Sequence, residues 1–278
     1  MKAGDGHANS VAALLDEARS LGVDRLDAQV ILARRLQVVR TWVLAHGEAT
    51  VNHDAAAACR DDLARRAAGV PLAYIVGERE FHGIALGVTP AVLDPRPDTE
   101  TLVDWAVELI GDRPLNVVDL GTGSGAIALA VKHARPQADV LATDDDEGAL
   151  SVARANARRL GLDVRFALGD WWSAVAGRRF QLALSNPPYI AASDAHLASL
   201  AHEPRRALTP GTTGLEAIER IVASAASHLD AGGWLLLEHG HDQSDAVRRL
   251  LRSHGFESPA TRTDLSGVPR CTGARRPD

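Results

Sequence analysis

The sequence predicts an α/β chain: a doubly wound, mostly parallel sheet with an antiparallel last strand, preceded by a small all-α bundle and a β-hairpin linker. Three observations carry this. From residue 115 onward, apolar runs of strand length alternate with segments whose apolar residues recur at helical spacing, the pattern of βαβ units. The first run, residues 115–120, leads into Gly121-Thr122-Gly123-Ser124-Gly125 and then a helical pattern, so strand, glycine turn and helix follow one another. Residues 10 to about 70 hold only short amphipathic helical segments.

In chain order, Ser10 is placed to cap a helix carrying Val11, Leu14, Leu15, Ala18 and Leu21 on its period, with Gly22 as its stop. A second helix, residues 24–36, places Leu26, Val30 and Ala33 on one face; residues 41–46 form a short helix and residues 52–68 a longer one ending at Gly69. These segments read as a bundle, residues 1–70, without a catalytic constellation, and its expected role is to dock a partner. Residues 71–92, alternating and split by Gly77 and Gly83, read as a β-hairpin linker. The third segment, 93–278, opens with Pro95-Arg96-Pro97-Asp98-Thr99-Glu100, whose prolines and acids introduce a helix through Leu102, Val103, Ala106 and Leu109. Further strands are expected at 139–143, 164–168, 180–185 and 233–238. Helices are expected at 146–160, 214–229 and 243–254, and two short strands near 259–263 and 270–274 pair antiparallel at one end.

Composition limits the function. With 278 residues, 46% of them hydrophobic, the chain has ample material for a buried core. A net charge of −6 lacks the positive field that free DNA or RNA requires, so direct nucleic-acid binding is not expected. Two distant cysteines, Cys59 and Cys271, fit buried thiols in a reducing compartment. No apolar leader or membrane-length run is present, so the expectation is a cytoplasmic protein with no membrane partner. No metal site is expected, and nothing demands more than a monomer.

Two loops carry chemistry. Asn186-Pro187-Pro188-Tyr189 follows the strand run 180–185, and a Pro-Pro pair ends a strand because it offers no ladder N–H. Both prolines fix φ and push Asn186 toward extended backbone, giving a stiff loop that offers an amide, carbonyls and an aromatic ring to an amino or amide nitrogen. The alternative is a proline-rich turn with Tyr189 lidding the core. The glycine loop lets backbone approach a ligand; without a Gly-Lys-Ser/Thr ending it is not a nucleoside-triphosphate loop. Spacing at Gly121, Gly123 and Ala126, with Asp144 at the next strand end, fits a dinucleotide as well as S-adenosylmethionine. Asp119 is placed to orient the loop or, through its neighbours, to receive the ammonium of a methionine moiety, an acidic glycine loop suits the cationic sulfonium of S-adenosylmethionine, and Asp170 and Trp171 offer a carboxylate and an indole face to an adenine. Trp172 offers a second indole face, with core aromatic packing as its alternative.

In that order, these motifs resemble class I S-adenosylmethionine-dependent methyltransferases that modify planar nitrogens, which have a Rossmann-like domain. Together with the helical bundle, residues 74–81, Pro95–Glu100, His202-Glu203-Pro204 and residues 235–240, they resemble the HemK/PrmC family, the protein-(glutamine-N5) methyltransferases of peptide chain release factors. The resemblance implies that Asp119, Gly121 to Gly125, Asp144, Asp170 and Trp171 hold S-adenosylmethionine beside Asn186. It implies that Asn186 to Tyr189 hold the acceptor glutamine of a Gly-Gly-Gln motif, Asn186 and Pro187 each accepting one amide N–H while Tyr189 packs on the amide. Arg96 and Glu203 are candidate substrate contacts, each with a plain surface-charge alternative. A ribosomal-protein glutamine and, less favoured by the acidic charge, a nucleic-acid adenine are the other acceptors of this chemistry.

Overall fold

In the computed structural model, which describes residues 9–278, Ser10 starts the first helix by accepting the Ala13 amide on its side chain at 3.2 Å. That helix, α1 (Val11–Ser20), packs with α2 (Arg25–Leu36), α3 (Arg40–Ala45), α4 (His53–Ala67) and α5 (Leu72–Val76) in a first unit that ends at Glu78. Its core is built from residues such as Val11, Leu14, Ile31, Leu32 and Leu63, all buried. Buried Asp62 pairs with Arg35 and Arg65, and burial pushes the Cys59 thiol up to about 11.

Two expectations need correction. On α2 Ala33 is buried as expected, but Val30 is half-buried and Leu26 half exposed, and the rest of the buried stripe is Ala28, Gln29, Ile31 and Leu32, on the other side of the helix. The segment carries two apolar stripes; packing selects the one holding the adjacent large pair Ile31 and Leu32, which removes more apolar area from water. Residues 72–76 form a helical turn instead of the first half of a hairpin. The Tyr74 amide bonds the Pro71 carbonyl at 3.0 Å, Ala73, Tyr74 and Ile75 are buried, and Gly77, at φ +80°, ends the turn. Tertiary burial overrides the weak alternation there. The hairpin proper is β1 (Glu78–Phe81) and β2 (Ile84–Gly87), joined by His82 and Gly83 at φ +47° and +78°, as a tight two-residue connection requires.

The second unit, Arg79–Asp278, is built on a seven-stranded sheet. Its strands are β3 (Asn116–Leu120), β4 (Asp139–Asp144), β5 (Arg165–Leu168), β6 (Phe180–Ser185), β7 (Leu229–Glu238), β8 (Glu257–Thr263) and β9 (Pro269–Arg275), in the spatial order β5-β4-β3-β6-β7-β9-β8. Helices α6 (Glu100–Ile110), α7 (Ala126–Ala134), α8 (Glu147–Leu160), α9 (Glu216–His228) and α10 (Ser244–Ser253) accompany it. Neighbouring residues on β3 serve opposite layers: Val117 joins the core with Leu102 and Leu129, Val118 that with Ile218 and Leu251.

All pairings from β5 through β7 are parallel, and only β9 runs against its neighbours, β7 and β8. The last strand therefore lies inside the sheet, with polar β8 as the edge. Gly273 on β9 is required by close approach: a Cβ there would lie 2.3 Å from Leu236 Cδ2 and 2.8 Å from Trp105. Because the chain passes outward through β3, β4 and β5 and then resumes at β6 on the other side of β3, the order reverses between β3 and β6. Ligands of such sheets bind at the carboxyl ends of strands at this reversal. No helix among the described residues is long and apolar enough to cross a membrane.

Candidate active site

The glycine loop turns over the end of β3 and leans on β4. The Gly121 and Thr122 amides both donate to the Thr143 carbonyl, at 2.9 and 2.8 Å, and the Gly123 amide donates to Asp144 Oδ2 at 2.9 Å. Gly121 sits at φ +74°, and a Cβ on it would come within 3.0 Å of the Trp171 ring, so both conformation and contact exclude a side chain. Asp144, the last residue of β4, also accepts the Asp146 amide on Oδ1 at 3.0 Å. Both carboxylate oxygens are thus aimed by backbone N–H groups, although burial raises the carboxyl above its ordinary pKa.

A cleft with about 920 Å³ of space, open solvent included, lies over these groups. Gly121, Thr122, Gly123, Ser124 and Asp144 line one side; Leu93, Arg96, Trp171, Asn186 and Pro188 are among the others. Arg206, absent from the sequence expectations, also lines it and pairs with Asp145 and Asp146. No His, Cys, Asp or Glu cluster among the described residues could hold a metal ion.

Six of the expected residues lie outside the lining: Asp119, Gly125, Asp170, Pro187, Tyr189 and Glu203. Asp119 lies fully buried beneath the loop, where Oδ2 accepts the Thr122 hydroxyl at 2.6 Å and the Ala128 amide at 3.3 Å; it fastens loop to helix. Gly125, at φ +85°, starts α7. Asp170 turns away and pairs with Arg220, while Trp171, next in the chain, adopts φ +46° to face the cleft. Trp172 takes the core alternative, donating from Nε1 to the Ile221 carbonyl at 2.8 Å. Glu203 is neither exposed nor in the lining: it is buried, paired with Arg96 and bonded by the Asp94 amide at 3.3 Å. The surface-charge alternative for Glu203 is therefore wrong, because Arg96 and Asp94 N–H compensate the carboxylate inside the fold.

Asn186 enters from β6, whose end is tied to β3 by the Ser185 hydroxyl donating to the Leu120 carbonyl at 2.7 Å. The Asn186 Nδ2 donates to Thr99 Oγ1 at 3.1 Å. Pro187 is buried behind it. The Tyr189 hydroxyl bonds Glu238 Oε1 at 3.3 Å and Gln243 Nε2 donates to the Tyr189 carbonyl at 3.0 Å, so both ends of this residue are anchored. Thr99 and Glu238 are site residues that sequence reasoning passed over. Each stood inside a quoted motif, and Glu238 bore a signal, an acid closing a wholly apolar strand run.

Burial pushes Asp119 and Glu238 each up to about 7. A carboxyl raised in this way holds its proton more tightly in the folded than in the unfolded chain. Its contribution to stability is complete below the unfolded pKa and is lost as pH rises through the folded one. Asp119→Asn, which cannot ionise, is expected to flatten the fall in stability between about pH 4 and 7 by up to about 1.4 kcal/mol per pH unit. Melting curves of both proteins across that range check this, and parallel slopes would refute it.

Residues 106–254 match the family described as Methyltransferase small domain, and residues 9–77 match the PrmC N-terminal domain. The release factor glutamine methyltransferase of Bordetella pertussis (strain Tohama I) is 48% identical over 91% of this chain and 95% of its own length. That of Burkholderia pseudomallei (strain K96243) is 45% identical over 96% and 98%. Among solved structures, the T. thermophilus 16S rRNA N2 G1207 methyltransferase in complex with AdoMet and guanosine superposes with a TM-score of 0.55 at 20% identity, covering 72% of this chain and 49% of that one. This last likeness concerns the fold alone. With two relatives above 40% identity along nearly their whole length, and both domain families in order, the chain belongs to the release factor glutamine methyltransferase family.

Proposed function

We propose that the protein transfers a methyl group from S-adenosylmethionine to the side-chain amide nitrogen of the glutamine in the Gly-Gly-Gln motif of peptide chain release factors. The observation that carries this reading is the Asn186 amide, tethered to Thr99 on a stiff Pro-Pro loop beside a cleft with a glycine wall. The cleft suits the donor. A wall without Cβ atoms admits a close ligand, the Asp144 carboxylate stands where ribose hydroxyls can donate to it, and the Trp171 ring offers an apolar face to an adenine. S-adenosylmethionine, when bound, supplies a methyl group made electrophilic by its cationic sulfur.

The remaining work falls to the chain's own groups. An amide nitrogen is a poor nucleophile because its lone pair is delocalised, so orientation matters more than a base. With Nδ2 held by Thr99, Asn186 has Oδ1 to offer as acceptor, and the Pro187 carbonyl, on a residue without an N–H, is the second. One acceptor for each N–H of the glutamine amide fixes the nitrogen and stabilises the positive charge that develops on it. Tyr189, fastened at hydroxyl and carbonyl, keeps the loop in place. We assign release-factor docking to the helical first unit, whose described residues hold no cluster that could ligate a metal ion.

The test is transfer of labelled methyl from S-adenosylmethionine to a purified release factor, to that factor with its Gly-Gly-Gln glutamine replaced, and to duplex DNA. Label on the first alone is expected. Label on DNA, or on none of the three while a ribosomal protein is labelled, would overturn the assignment.

A further inference from the structure

We propose that Arg206 is the gate of the cofactor cleft: its guanidinium bridges to Asp145 and Asp146 at the cleft rim, and S-adenosylmethionine and its product pass to and from Asp144 only while that bridge is open. The product, S-adenosylhomocysteine, is the donor less its methyl group. The inference rests on placing the donor in this cleft against Asp144. Asp144, Asp145 and Asp146 are consecutive at the end of β4 and all line the cleft, as does Arg206, 60 residues beyond Asp146 in the chain. Asp145 and Arg206 are exposed, so their pair stands at the rim. The Asp144 side chain is only 11% exposed, and the guanidinium lies 3.8 Å from its Oδ1. A ribose approaching Asp144 from this side meets Arg206 first.

Both sides of the bridge are held by backbone, so the moving part is the arginine side chain. Asp144 is fixed by the Gly123 and Asp146 amides, and Asp146 Oδ1 accepts the Ala149 amide at 2.8 Å as the cap of α8. On the other side the Ile190 amide donates to the Leu208 carbonyl at 2.9 Å and the Ala192 amide to the Gly211 carbonyl at 2.8 Å, which closes the base of the segment carrying Arg206. Glu203, paired with Arg96, ties the same segment to the residues before α6. Arg206 reaches Asp146 Oδ2 with Nη1 and Asp145 Oδ1 with Nη2, a planar fork that an ammonium cannot reproduce. Exposed ion pairs are individually weak and long exposed side chains rotate quickly, so the bridge opens often on the timescale of ligand exchange. Such a bridge adds little to the stability of the fold. Closed most of the time, it scales entry and exit by the same open fraction and leaves affinity unchanged.

Arg206→Met keeps the stem and deletes the fork; Arg206→Lys keeps the charge without the fork. Stopped-flow exchange of both ligands, followed by tryptophan fluorescence with Trp171 in the cleft, reads the gate. The donor carries one net positive charge and the product none, so uncovering three carboxylates steers the donor alone. In Arg206→Met the kon and koff of S-adenosylhomocysteine are each expected to rise about threefold to tenfold, with Kd within about twofold and the melting temperature unchanged. Arg206→Lys should fall between. In the parent, exchange of the product should accelerate toward the variant's rates as ionic strength rises from about 0.05 to 0.5 M, while the methionine variant changes little. Product rates in Arg206→Met within about twofold of the parent would overturn the inference. So would acceleration of the donor alone, which is steering, or a rise in koff without one in kon, which marks an ordinary ligand contact. Should the methionine variant melt lower, Asp145→Asn, which loosens one arm of the bridge at an exposed position, decides by the same criteria. Asp144→Ala separates the two levels. If it leaves the cofactor Kd unchanged, the placement of the donor falls and takes the gate with it; if it weakens binding while Arg206→Met exchanges at the parent's rates, only the gate falls.

Discussion

Asn186→Ala is expected to reduce the turnover of methyl transfer by about 10²–10³-fold, the usual consequence of deleting one group aimed at charge that develops in a transition state. The substitution removes the only side-chain acceptor that the Asn186-Pro-Pro-Tyr189 loop presents on its stiff backbone. The two prolines keep the loop in place, so the glutamine still has a site but loses its alignment. Binding of S-adenosylmethionine should weaken by less than about tenfold, because the glycine wall, Asp144 and Trp171 remain. Single-turnover rates with labelled donor, together with calorimetric cofactor binding, check both parts. Turnover within a few-fold of the parent would remove Asn186 from the chemistry and leave the chain a binder whose acceptor is held elsewhere.

Asp144→Ala should show the opposite division, with cofactor Kd raised by about 10²–10³-fold and turnover at saturating cofactor much less affected. Two hydrogen bonds from ribose hydroxyls to a carboxylate, each near the lower end of about 1.5–3 kcal/mol, amount to that range. A second contribution is local. The Gly123 and Asp146 amides, at 2.9 and 3.0 Å from the two Asp144 oxygens, lose their acceptors, and the loop they organise loosens. Asp144→Asn keeps one acceptor and should fall between the parent and alanine. A cofactor Kd within about threefold of the parent in the alanine variant would mean that the ribose is not held here.

The sequence made legible those features whose cause lies within a few residues. Ser10 caps its helix because a short polar side chain reaches the amide three residues ahead. Gly121, Gly123 and Gly125 occur together because each has φ > 0. Strand β6 stops at Ser185 because Pro187 and Pro188 follow. The alternation of strand and helix after residue 115 predicted the parallel sheet, and with it a ligand site at the ends of β3, β4 and β6. Family resemblance added the chemistry, since the same loop on the same sheet could hold an adenine as well as a glutamine.

What the sequence left undecided depends on partners far along the chain. Thr99 and Asn186 are 87 residues apart, and nothing near either one says that they meet; the order of β6, β7 and α6 brings them together. Arg96 and Glu203 are 107 apart, and only the burial of Glu203 beside a half-buried Arg96 turns two apparent surface charges into a tie within the fold. Asp170 and Trp171 are adjacent, but one backbone residue at φ +46° sends the indole to the cleft and leaves the carboxylate to Arg220. On α2, periodicity allowed two apolar stripes, and the neighbouring helices chose between them. Steric and capping forces act over about one turn and are written locally. Which side chains desolvate one another is settled by packing, because the free energy of burying a group depends on what arrives beside it.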